Sequence, residues 1–323
     1  MRLLLSSEHR YPAFNGVGSG RHPKLFPSGS GFLIHDLLVK GLAELGHDVF
    51  YLLRNGADKP LPAGATLVSG PIADADVLHI LAYHDEELVL ERQHRPWVAT
   101  CHLDLAARGR GRGPTTENWI FVSRTLAQLH GRNRYVLNGI DPSDYDFSAT
   151  KSDYFLFMST MDWGLKKGLD VVLSLSQQLG FKLVVAGTGT DYESINRVAE
   201  MCAKIGANYV GDVKGKEKAE LLSGAKALLF PTKVEEAFGL GMAEALMSGT
   251  PVICSDRGAC PEIISPDVGF VCAHYDEYVA AISSVATISP YACRSKAMSE
   301  YHYLRMATDY VIEYEKEFGR YGG

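Results

Sequence analysis

No apolar run among the 323 residues approaches the ~18 positions a membrane-spanning helix needs. The opening stretch carries only Leu3, Leu4 and Leu5 before polar residues follow, too few for the apolar core of a secretory signal. The six cysteines form no C-x-x-C pair and stand mostly in apolar surroundings, which suits reduced, buried thiols rather than a disulfide framework. The expectation is therefore a cytoplasmic protein without stable membrane insertion. Positive charge is also in short supply. Lys and Arg number 32 against 38 Asp and Glu, a net charge of −6, which argues against a general nucleic-acid binder. Short-period repeats and low-complexity tracts are absent, and so is a convincing paired-carboxylate metal motif. Asp74-Ala-Asp76 has the spacing but directly precedes an apolar run and reads as the turn before a strand. No metal and no cofactor are expected. What remains is ordinary for a soluble globular enzyme, 46% apolar, 10% aromatic and 22% charged. At about 150 residues per domain, this length predicts two domains.

One local imbalance stands out. Residues 105–136 hold Arg108, Arg110, Arg112, Arg124, Arg132 and Arg134 against Glu117 alone. Such a cluster either faces phosphates or another anionic surface, or is a solvated loop and helix face.

Hydrophobic patterning gives a repeated strand-then-helix rhythm. Strands are expected at 2–6, 48–53, 76–81, 97–101, 119–122 and 135–137, with a helix over about 33–45 that Gly46 ends. The rhythm pauses over 138–151, rich in Asp, Ser and Pro, and restarts at 154–158, 182–186, 208–210, 227–230, 251–254 and 269–272. Helices are expected at about 167–179, 191–205, 216–224 and 237–248, with a terminal helix over 297–318. This predicts an α/β protein of two Rossmann-like, doubly wound parallel-sheet domains. Their boundaries fall at 1–145 and 146–296, with residues 297–323 crossing back toward the first domain. Ligands of such folds bind at the carboxyl ends of the strands, in a cleft. The glycines at 16, 18 and 20 read G-V-G-S-G-R and lie well after the first strand, so they do not make the dinucleotide fingerprint of an oxidoreductase.

The most informative stretch runs from Phe230 to Ile253. A strand ends at Phe230, a loop carries Glu235 and Glu236, and a helix is expected to begin near Phe238. Backbone N–H groups of Phe238, Gly239 and Leu240 at that helix start, together with the helix dipole, suit a diphosphate. Gly239 lets a ligand approach the backbone closely. Glu244 is expected about two helical turns beyond Glu236, within reach of hydroxyls on one side of the diphosphate while Glu236 serves the other. A ligand with a hydroxyl-rich group at each end of a diphosphate is a nucleotide sugar. In isolation, the spacing reads rather as Glu235 and Glu236 stabilising a helix start while Glu244 makes surface ion pairs; the strand before it, the A-F-G-L turn and the S-G-T-P-V-I after it give it its meaning.

The run Glu236-Ala-Phe-Gly-Leu-Gly-Met-Ala-Glu244-Ala-Leu-Met-Ser-Gly-Thr-Pro-Val-Ile resembles the signature of the family 4 retaining glycosyltransferases, which have the GT-B fold. The likeness continues through Ser255–Ile264, Gly269-Phe-Val, Val122-Ser-Arg, Asn138-Gly-Ile-Asp141, Thr100-Cys-His102 and Gly41–Val49, nearly the whole chain. It implies a hexosyltransferase that needs no metal. Glu236 would contact donor-sugar hydroxyls, Glu244 the ribose diol, and Phe238, Gly239 and Leu240 the diphosphate. Gly187 and Gly189, with Asp212 and Val213, match loops beside the phosphates and the base. Gly29, Ser30 and Gly31 would approach the diphosphate from the first domain, and His102 would meet the donor sugar. Lys167 would help neutralise the departing diphosphate. Thr160 departs from the pattern, standing where the family usually has a second cation, an arginine.

The resulting expectation is transfer of a sugar, with retention, from a nucleotide-diphosphate donor to a carbohydrate, lipid-linked or small-molecule acceptor. Arg108, Arg110 and Arg112, with the loop over 7–30, are the expected acceptor side. The alternative, motivated by Thr160, is a non-catalytic nucleotide-sugar binder or partner subunit that keeps the fold. Oligomeric state, donor base and donor sugar are not readable.

Overall fold

The structure, a computed structural model, describes residues 1–13, 31–81, 95–103, 116–189 and 191–322. The described residues divide into two compact units, one holding 1–140 and 301–322, the other 141–300.

The first unit is built from β1 (Arg2–Ser7), α1 (Gly31–Glu44), β2 (Asp48–Leu53), β3 (Ala65–Val68), β4 (Val77–Leu81), β5 (Trp97–Cys101), β6 (Trp119–Phe121) and α2 (Arg124–Leu129). All six strands run parallel in the order β3-β2-β1-β4-β5-β6. Every residue of β4 and β5 is buried, as a parallel sheet covered on both faces requires. The short edge strand β3, half-exposed, was not expected from the sequence. Residues 135–137, expected as a strand, supply only a single bridge between Tyr135 and Phe121.

The second unit repeats the plan with β7 (Phe155–Met158), α3 (Leu169–Leu179), β8 (Leu183–Ala186), α4 (Tyr192–Ile205), β9 (Asn208–Gly211), α5 (Gly215–Gly224), β10 (Leu228–Phe230), α6 (Leu240–Met247), β11 (Val252–Ser255), α7 (Cys260–Ile263), β12 (Gly269–Cys272), α8 (Tyr275–Ser284) and α9 (Pro290–Glu300). Its parallel order is β9-β8-β7-β10-β11-β12. Both sheets thus have the doubly wound order 3-2-1-4-5-6. The direction in which successive strands are added reverses between the first and fourth strand of each, and ligands of open α/β sheets bind at the carboxyl ends there. Phe155, Phe157, Leu169, Val172, Leu175 and Val185 anchor the second core.

The last helix, α10 (Tyr303–Arg320), belongs to the first unit. The single helix expected over 297–318 is instead two, because the backbone between them is used elsewhere. Ile140 N donates to Tyr301 O (2.7 Å), and Tyr303 N donates to Ile140 O (3.1 Å). His302 then caps α10, its ring accepting from Leu304 N. Among the described residues, no helix is long and apolar enough to cross a membrane, and all six cysteines are buried with no disulfide between them.

Candidate functional site

In the second unit the topological switch lies between β7 and β10, and the loops leaving these strands pack together. Lys233 N donates to Lys166 O at 2.8 Å. Gly168 has φ +87°, and a Cβ there would lie 2.1 Å from Pro231 O, so only glycine lets the loops meet. The contact brings Lys167 to Glu236, 69 residues away, with Nζ 2.5 Å from Oε2. Their side chains are 23% and 14% exposed, respectively.

A third loop, leaving β11, holds the second partner from behind. Ala259 N donates to Glu236 O (2.8 Å), and Gly258 N donates to Glu235 Oε2 (2.7 Å). Gly258 sits at φ +55°, where a Cβ would be 2.2 Å from Glu236 N. Glu235 thus anchors the loop, leaving Glu236 as the carboxylate that shares the site with a cation.

Helix α6 begins later than the sequence suggests. Gly239 adopts φ +86°, a left-handed conformation that ends the loop, so the first helical residue is Leu240, with Phe238 buried before it. No acidic side chain lies in the first turn, so the positive end of the dipole is not offset there. Glu236 is a loop residue, as expected, and Glu244 stands in the second turn of α6. Glu244 is 3% exposed. Its Oε1 accepts from Tyr145 Oη (2.9 Å) and Lys218 Nζ (2.7 Å). Burial and the neighbouring carboxylate hold the Tyr145 phenol well above its ordinary pKa. The sequence reading missed both partners. Tyr145 lies in the polar linker, and Lys218 is one of three lysines at alternate positions, 214, 216 and 218, with no local signal selecting it.

The remaining loops explain their glycines by packing. Gly187 has φ +134°, and a Cβ would lie 1.9 Å from Ser159 O, while one on Gly189 would lie 2.4 Å from Asp162 Oδ1. Thr160 is exposed. Asp212 pairs with Lys214, and Val213 is buried. A cavity of about 220 Å³ borders the same loops, lined by residues that include Pro231, Thr232, Lys233, Asp256 and Arg257. Neither Lys167 nor Glu236 lines it.

In the first unit, Gly31 opens α1 against His102, where a Cβ would sit 3.1 Å from the ring. Burial pushes His102 down to about 4 and His79 to about 3, so both rings are neutral at pH 7. His79 bonds Tyr314 and Thr100, at 2.7 Å each. His35, also driven down by burial, meets its ring edge-on at 5.1 Å. Gly29, Ser30, Arg108, Arg110 and Arg112 lie outside the described residues. The other arginines of the basic stretch serve the fold. Arg124 lies over Tyr135, Arg132 pairs with Glu117, and Arg134 pairs with Glu313 and Glu317. Asp74 pairs with the Arg2 side chain and Asp76 accepts from Arg2 N, fixing the start of β1. Among the described residues, no group of three or more His, Cys, Asp or Glu is arranged to hold a metal ion.

Residues 145–303 match the family described as "Glycosyl transferases group 1". The chain is 26% identical over 269 residues to D-rhamnosyltransferase WbpZ of Pseudomonas aeruginosa, covering 75% of this chain and 68% of that one. It is 28% identical over 279 residues to glycogen synthase of Mycobacterium tuberculosis, covering 72% and 67%. Among solved structures it is similar to AviGT4, a glycosyltransferase involved in avilamycin A biosynthesis. That likeness has a TM-score of 0.76 and 23% identity over 99% of this chain and 98% of that one. Anabaena HepE, solved with UDP and glucose, aligns with a TM-score of 0.67 and 13% identity over 98% and 100%. These structural likenesses establish the GT-B fold.

Proposed function

We propose that this chain, whose residues 145–303 carry a group 1 glycosyl transferase domain, is a retaining hexosyltransferase that uses a nucleotide-diphosphate sugar and needs no metal. The observation that carries this reading is the Lys167–Glu236 pair at the switch point of the second sheet, next to the uncompensated start of α6. A cation and a helix N-terminus side by side suit a diphosphate, and a carboxylate beside them suits the hydroxyls of the attached sugar. UDP and glucose bound to HepE support the same ligand class.

In the proposed reaction the bond between the anomeric carbon and the β-phosphate oxygen breaks, and its electron pair stays on the phosphate. Lys167 and the first N–H groups of α6 stabilise that charge as it develops. The acceptor hydroxyl attacks from the same face and passes its proton to the departing phosphate oxygen, giving the glycoside and a nucleoside diphosphate. Glu236, engaged by Lys167, holds sugar hydroxyls and is not assigned as a covalent nucleophile. His102 is assigned to the donor sugar. A neutral ring can hydrogen-bond the sugar without opposing the positive charge that grows at the anomeric carbon. Gly187, Gly189, Asp212 and Val213 remain assigned to the phosphate and base loops. The acceptor is a carbohydrate, lipid-linked or small-molecule hydroxyl.

Thr160, exposed at the end of β7, favours a second reading, a nucleotide-sugar binder without transfer. Removing Glu236 separates the two. Glu236→Gln should cut turnover far more than nucleotide affinity. A wild-type protein that binds a donor and neither hydrolyses nor transfers its sugar contradicts the first reading.

A further inference from the structure

We propose that the cavity at the carboxyl ends of β10, β11 and β12 binds a neutral monosaccharide unit, at a site separate from the one assigned to the nucleotide sugar. The cavity holds about 220 Å³, more than the roughly 150 Å³ that admits benzene and enough for one substituted six-membered ring. Its walls all belong to the second unit. Residues 231–233 follow β10, 255–257 leave β11 and 272–275 leave β12, with Tyr278 of α8 beside them. Three neighbouring strands thus deliver their ends to one hollow, which is where open α/β sheets take ligands.

The lining asks for hydroxyls. Tyr278 is 6% exposed, and among the described residues its own hydroxyl has no hydrogen-bond partner; burial raises its pKa, so it stays a donor. A buried tyrosine hydroxyl ordinarily has a partner. Ser255, equally buried, donates only weakly, to Cys260 Sγ at 4.0 Å. At the rim, Arg257 meets Asp256 and Glu235 at 3.6 and 3.7 Å, beyond hydrogen-bond distance. Its planar fork and the Asp256 carboxylate can therefore serve a ligand. These charges are balanced, because Lys233 is bound to Asp170 at 2.6 and 2.8 Å and Arg257 lies near two carboxylates. A ligand with net charge gains little here, and an apolar one leaves the Tyr278 hydroxyl unpaired. A pyranose meets both conditions, with hydroxyls at its edge for Arg257, Asp256 and Tyr278 and C–H faces for Val171, Pro231 and Tyr275.

The full chain is titrated with the methyl glycosides of glucose, mannose, galactose and rhamnose, and binding is read by saturation-transfer NMR. The expected result is binding of at least one, weakened at least about threefold by Tyr278→Phe and about tenfold by Arg257→Met, with folding checked by thermal melting. Neither side chain is assigned to the nucleotide sugar, so both variants should bind nucleoside diphosphates as the wild type does. Glu236→Gln, or a saturating nucleoside diphosphate, should leave the glycoside in place. Loss of glycoside binding under either condition puts the sugar at the donor site and overturns the inference. So does the absence of binding, or binding that survives both Tyr278→Phe and Arg257→Met undiminished. Binding of a hexose monophosphate but of no methyl glycoside overturns the neutral class. Each of these failures leaves nucleotide binding, and with it the nucleotide-sugar reading, untouched.

Discussion

Glu236 is held at three points, and each has a measurable consequence. Lys167 takes its carboxylate, Ala259 N its carbonyl, and Gly258 leaves no room beside its amide. Lys167→Ala removes a preorganised cation from a developing charge, which costs about 3–4 kcal/mol of barrier. Single-turnover rates should fall roughly 100- to 1000-fold, with a smaller change in nucleotide Kd. Gly258→Ala asks a non-glycine residue to take φ +55° with its Cβ against the Glu236 backbone, a strain of about 1–3 kcal/mol before the clash is counted. Its turnover should drop sharply and its melting temperature more modestly, as kinetics and calorimetry on one sample would show. Glu236, Glu244 and Lys167 were each legible in the sequence because their motif residues lie within short stretches. The pairing of Lys167 with Glu236 and the grip on Glu244 were not, since tertiary packing alone joins residues 69, 99 and 26 positions apart.

At the level of elements, α10 is tied to the stretch before β6 and to the chain after α2 by buried charge. Arg134 reaches both Glu313 and Glu317, and their side chains are 13%, 11% and 2% exposed. Asn118 adds a bond to Glu317 at 2.9 Å. Arg134→Met removes the cation the two carboxylates share and leaves Glu313 to Lys316 and Glu317 to Arg320, so the loss should fall below the about 3–5 kcal/mol of a buried pair broken outright. Urea denaturation should show that loss, and Glu313→Gln in the same background should recover part of it. The interior strands were readable because parallel strands covered on both faces appear as unbroken apolar runs, as in residues 77–81 and 97–101. Exposed or interrupted elements were harder. The edge strand β3 is half-exposed and so lacks that run. The helical pattern ran across Tyr301 and His302, whose backbone bonds to Ile140 split it into α9 and α10. The start of α6 was misplaced because a left-handed glycine at 239 leaves no trace in hydrophobic periodicity.

Across the whole molecule, the two units carry different pH liabilities. The first buries His35, His79 and His102 with pKa values pushed down, to about 3 for His79 and about 4 for His102. A histidine neutral when folded and free to protonate when unfolded costs nothing above its ordinary pKa near 6.5. The unfolded chain gains the extra proton as pH falls below that value. By pH 5, His79 and His102 together remove about 4 kcal/mol, a large part of a typical 5–15 kcal/mol. In the second unit, hydrogen bonds from Lys226 and Lys182 hold Asp153 below its ordinary pKa, and backbone bonds do the same for Asp191 and Glu277. Their contribution is lost only as pH falls below about 4. Hydrogen exchange at pH 5 should therefore show β4 and β5 opening while β7 and β8 stay protected. What the second unit binds decides the proposed function. Calorimetric titration with UDP, GDP, ADP and dTDP, followed by assay of the matching sugar nucleotide with and without magnesium, measures it. The expected result is micromolar binding of one nucleoside diphosphate, metal-independent release of its sugar, and weakening by about 1.5–3 kcal/mol in Glu244→Ala. Binding of none of them, or binding indifferent to Glu244 and Lys167, would contradict it.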